Sequence, residues 1–73
     1  MLSDRGTASE ISDLLIEIGT RLNNSLFLVK ERCSPAEYDQ YCAAVGMVMG
    51  HIFLEVLRPL YKRHPDLKPD GLD

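Results

Sequence analysis

Apolar residues recur at Ile11, Leu14, Leu15, Ile18, Leu22, Leu26 and Val29, in steps of one, three and four. That spacing lines one face of an α-helix and does not alternate as a half-buried strand would. The opposite face carries Glu10, Asp13, Glu17, Arg21, Asn24 and Glu31. Thr7 followed by Glu10 has the capping-box spacing, in which each side chain satisfies a free backbone amide at the helix start. Lys30 and Arg32 fall in the last turn, where cations suit the negative end of the helix dipole. A first helix is therefore expected over about 7–32.

A second stripe follows at Tyr38, Cys42, Val45, Met49, Ile52, Val56 and Leu60, close to a heptad seam. Its start signal is stronger than the first. Ser34-Pro35-Ala36-Glu37 joins an N-cap, a proline at the first helical position and a capping-box glutamate. Lys62-Arg63-His64 before Pro65 marks the end, so the second helix is expected over about 35–64. Pro59 lies inside it and cannot donate to the Glu55 carbonyl, which predicts a kink near 55–59. About two residues separate the helices, around Cys33-Ser34-Pro35, so they must fold back antiparallel. Residues 1–6 read as a flexible tail, and 65–73, with a Pro69-Asp70-Gly71 turn signal, as an extended or disordered one.

The expected fold is all-α, an antiparallel two-helix hairpin, and the apolar pattern says that one hairpin is not enough. A chain of 73 residues sits near the lower limit for a self-sufficient core. Met47, Val48, Phe53, Leu54 and Leu57 lie off the second seam, and Ile16, Phe27 and Leu28 off the first. A helix apolar over most of its circumference is buried on more than one side. Dimerisation into a four-helix bundle is the simplest way to cover this surplus.

Gly46 and Gly50 stand four apart, on one helical face. In a hairpin turning near Cys33-Ser34, residue numbers summing to about 67 face each other, which brings Gly19 to the level of the two glycines. Such a level suits close backbone approach, within the hairpin or across a dimer axis. The expected interface comprises Gly19, Leu22, Gly46, Met47, Met49, Gly50, Phe53, Leu54 and Leu57.

Composition narrows the function classes. An apolar share of 45% is enough to offset chain entropy, which argues against wholesale disorder. The net charge of −3 gives no general attraction to nucleic acid or anionic membranes. The longest stretch without Asp, Glu, Lys or Arg runs from Gln40 to Leu54, shorter than the ~20 residues of a membrane span. The start of the chain lacks the pattern of a signal peptide, so a cytoplasmic location is expected, with no membrane association. Cys33 at the turn and Cys42 within the second helix are separated by roughly 12 Å at ~1.5 Å rise per residue, too far for a bridge.

Candidate chemistry is sparse. His51 and Glu55 are one turn apart, a spacing that admits two metal ligands or a base with its orienting carboxylate. They share a band with Glu37, Gln40, Ala44, Met47, Arg58 and Lys62, which reads as the solvated face, and no further carboxylate projects from the buried stripes. No nucleophile arrangement and no glycine-rich phosphate loop is present, so no cofactor, metal site or enzymatic activity is expected. Arg58, Lys62, Arg63, His64 and Lys68 cluster toward one end, but Asp66, Asp70 and Asp73 dilute the patch. Met47 and Met49 flank Val48 as a soft strip that fills a core or lines a partner groove. The function expected is a non-enzymatic protein-interaction module of adaptor or regulatory type, a homodimer with another protein as a further candidate partner. A nucleic-acid-binding bundle is the alternative, followed by a metal-binding bundle built on His51 and Glu55.

Overall fold

In a computed structural model, which describes residues 1–69, the chain is an all-α antiparallel hairpin. Helix α1 spans Arg5–Arg32 and helix α2 spans Pro35–His51. The second arm continues through a π-helical segment, Ile52–Leu57, into a short helix α3, Arg58–Arg63, and a 3₁₀ turn, Pro65–Leu67. No strand occurs among the described residues.

The turn at Ser34 is built as its residues dictate. Ser34 Oγ accepts from the Glu37 amide at 3.2 Å, and Glu37 Oε1 accepts from the Ser34 amide at 3.2 Å, closing the capping box. The start of α1 differs from expectation. The cap is Asp4, whose Oδ2 accepts from the Thr7 amide at 2.8 Å and from Thr7 Oγ1 at 2.6 Å. Thr7 and Glu10 are therefore interior helical residues, and the 1–6 tail shortens to four. Ala8, in the early turns of this helix, is fully buried in the core.

The expected kink region, 55–59, overlaps the π segment, which the Arg58 amide closes by bonding to the Phe53 carbonyl five residues back. The wider turn gives the proline ring room, and Pro59 becomes an early residue of α3, where its missing N–H matters least. One extra residue in a turn shifts all later side chains by roughly 100°. Without that shift Leu57 and Tyr61 would leave the seam defined by Val45, Ile52 and Val56. With it they turn inward, and Ala8, Leu57, Leu60 and Tyr61 form the buried cluster. Ile11, Leu15, Ile52, Phe53 and Leu67 pack against it.

This core sits at the open end of the hairpin, and polar ties close it. Arg5 pairs with Asp66, its Nε donating at 2.9 Å, and His64 Nε2 donates to the Leu2 carbonyl at 2.8 Å. Residues 65–67 thus form an anchored turn, which corrects the expected extended tail up to that point. Residues 70–73, with most of the expected turn at Pro69-Asp70-Gly71, lie outside the described residues.

Two serine–tyrosine pairs bridge the arms. Ser12 Oγ and Tyr61 Oη are 2.6 Å apart and buried; Ser25 Oγ and Tyr41 Oη are 2.7 Å apart nearer the turn. Both pairs cross the hairpin, so they define how the arms align. The molecule is elongated, 44 × 20 × 16 Å, with a radius of gyration of 14.5 Å, against about 11 Å for a compact chain of this length.

Candidate interaction surface

The first-helix stripe divides in two. Ile11, Leu15, Leu22, Leu26 and Val29 are half-buried against the second arm, but Leu14 and Ile18 are exposed. The contact line runs through Ala8, Ser12, Leu15, Gly19 and Leu22, a helix face rotated away from Leu14 and Ile18. The rotation follows from the small residues. Ala8, Ser12 and Gly19 let the arms approach along that line, and a Cβ at Gly19 would stand 3.7 Å from Met49 Cε.

The three-glycine level expected from the hairpin register is not a point of convergence inside the hairpin. A Cβ at Gly46 or Gly50 would meet nothing within 4 Å, so neither glycine packs against α1. Leu57, expected at an interface between chains, is buried in the hairpin's own core. Leu22 and Gly19 are half-buried between the arms. The remaining expected interface residues face outward or lie at the rim: Gly46, Met47, Met49 and Leu54 are exposed, Gly50 and Phe53 half-buried.

Between the arms lies a groove of about 400 Å³, which Met49 and Phe53 reach and Gly46, Met47, Gly50 and Leu54 do not line. Leu15, Gly19, Ile52 and Leu57 line it from the seam, Ile16, Thr20 and Asn23 from α1, and Met49 and Phe53 from the second arm. None of the lining residues is charged. Further apolar surface surrounds it, with Phe27 and Met47 each 68% exposed and Leu54 53% exposed. Ile16 and Phe27, surplus to the first seam, share the helix face of Thr20 and Asn23. Their spacing with Thr20 and Asn23 is the signal that places them together.

A smaller cleft of about 320 Å³ lies at the open end, lined by Phe53, Arg58, Tyr61, Lys62, Pro65 and Lys68. It gathers part of the basic cluster, while Asp66 nearby is engaged by Arg5. Hydrogen bonding from Arg5 holds the Asp66 carboxyl below its ordinary range, and hydrogen bonds from the Thr7 hydroxyl and amide do the same for Asp4.

His51 and Glu55 are exposed on the far side, and no group of three or more metal-ligating side chains assembles among the described residues. Cys33 is an exposed free thiol and Cys42 a half-buried one. A hydrogen bond with Cys42 raises the Tyr38 hydroxyl above its usual range, and Lys30 Nζ stands 5.8 Å over the Tyr38 ring.

The second arm has one property that counting uncharged residues conceals. Over its 29 residues, Pro35–Arg63, it is long and apolar enough to cross a membrane, and little of its apolar stretch is buried in the hairpin. Glu55 and Arg58 interrupt the uncharged run without cancelling its apolar character. No protein-family model, curated protein or solved structure matches the chain.

Proposed function

We propose that the protein is a small non-enzymatic interaction module that works as a homodimer, two hairpins packing into a four-helix bundle. The observation that carries this reading is where the apolar side chains lie. Ala8, Val45, Leu57, Leu60 and Tyr61 are the buried apolar residues among those described, whereas Leu14, Ile16, Phe27, Leu28, Met47, Val48 and Leu54 are all exposed. Apolar surface on this scale marks a contact with something other than water. A second copy is always at hand, and a twofold arrangement covers both hairpins with one patch. The cytosol is the compartment proposed.

Light scattering across a concentration series tests the reading. The expected mass is twice the 8.2 kDa of the chain, falling toward the single-chain value on dilution. A single-chain mass at all concentrations overturns it.

The apolar second arm favours one competing reading, attachment to a lipid surface. Flotation with neutral and anionic vesicles separates the two. The dimer reading expects the protein to stay with the soluble fraction. The basic cleft at Arg58, Lys62 and Lys68 is the only support for nucleic-acid binding, and a net charge of −3 works against it. Retention on heparin at low salt would revive that alternative.

A further inference from the structure

The groove has one bank on each arm. On one, Ile16, Thr20 and Asn23 of α1 stand beside the seam. On the other, Gly46 and Gly50 lie one helical turn before Met49 and Phe53, and free space surrounds the Cβ position of both glycines. Beyond them Met47 and Leu54 continue the apolar surface around the arm.

We propose that this groove seats the second arm of another copy of the chain. The two α2 helices would cross over Gly46 and Gly50 about a twofold axis, and Met49 and Phe53 of each protomer would enter the other's groove. The proposal rests on the homodimer reading and adds the face that is used. Area supports the choice of occupant. A folded chain of 8.2 kDa is expected to expose about 4,500 Å². This one exposes 5386 Å², an excess of about 900 Å², close to the ~800 Å² that each partner of a standard interface buries.

Charge points to the same face. Nothing charged lines the groove, and no Asp, Glu, Lys or Arg occurs from Tyr41 to Leu54. On the other flank Glu17 and Arg21 share the helix face of Leu14 and Ile18, with His51 and Glu55 across from them. Burying that flank would desolvate charges; burying the groove desolvates none. The glycines fit as well. Each weakens its helix relative to alanine, and the hairpin itself makes no use of either. Close approach of a second backbone does.

Single cysteines in a Cys33→Ser, Cys42→Ala background test the face. Met47→Cys, beside the glycines, should cross-link into a covalent dimer under mild oxidation, and Leu14→Cys should stay largely uncoupled. Circular dichroism of each variant confirms that the hairpin is retained. A wild-type dimer that couples through Leu14→Cys and not through Met47→Cys overturns the face and leaves the homodimer reading intact. A wild-type monomer overturns both. As a second measurement, Gly50→Leu should give a monomer of unchanged helicity, since the space beside Gly50 is open within its own chain. A Gly50→Leu protein that remains fully dimeric also overturns the face.

Discussion

The Tyr61 hydroxyl lies 2.6 Å from Ser12 Oγ across the hairpin, and both residues are buried. Tyr61 reaches this partner because the π segment before it rotates α3 by about one residue. A single widened turn, a proline and a buried hydroxyl pair are thus one structural unit.

Removing either hydroxyl leaves the other buried without its partner. Tyr61→Phe and Ser12→Ala are each expected to destabilise the hairpin by about 1–3 kcal/mol. The double substitution should cost less than the two separately, because no orphaned hydroxyl remains. Urea unfolding of the four proteins measures this. Strictly additive losses would mean that the pair carries no coupling.

Core and surface leucines of the second arm should behave oppositely. Leu60 is fully buried, and Leu60→Ala is expected to cost about 2–5 kcal/mol, enough to unfold a chain of this size. Leu54 is 53% exposed, so Leu54→Ala should change the dilute protein by no more than about 0.5 kcal/mol. Its effect belongs on association, read as a lower mass at a given concentration. Thermal melts and light scattering on the same samples separate the two quantities.

Alanine at the glycines gives a test with opposite signs. In an isolated hairpin Gly46→Ala and Gly50→Ala should each stabilise by about 1 kcal/mol, since the added methyl meets open space. In a dimer that crosses at those positions the same methyls hold the backbones apart and weaken association. Melting temperature should therefore rise in dilute samples and lose its dependence on concentration.

Acid should loosen the open end before the turn. Asp66, hydrogen-bonded by Arg5, and Asp4, hydrogen-bonded by Thr7, both titrate below their ordinary value of 3.8. A carboxyl whose folded pKa is depressed adds stability above its unfolded pKa and loses it as pH falls through the folded value. The melting temperature should then be flat above about pH 5 and decline below about pH 4. Asp66→Asn and Asp4→Asn should each flatten that decline. Because both side chains are exposed and screened, the effect should also shrink in high salt.

Much of the hairpin was legible because its signals are local. Ser34, Pro35 and Glu37 act within one turn of chain, and they cap α2 wherever the helix goes next. The seam of Val45, Ile52, Val56 and Leu60 was legible for the same reason, since helical period depends only on spacing. The start of α1 was less so: Asp4 and Thr7 are both good caps, and local chemistry does not choose between them. The structure uses Asp4, and Ala8 in the first turns of that helix is buried with Leu60 and Tyr61.

What the sequence by itself determined is the class: two helices, a tight turn, and more apolar surface than one hairpin can bury. Spacing and capping are short-range properties, and they survive any arrangement of the arms. Only the tertiary structure decided which faces meet. The turn before Pro59 widens and carries Leu57 and Tyr61 into the core, which local spacing does not announce. Gly46 and Gly50 could lie inside the hairpin or outside it, and the side of the seam they occupy puts them outside. Both outcomes depend on rotation about a helix axis, to which each residue adds about 100°, so one inserted position redirects every side chain that follows.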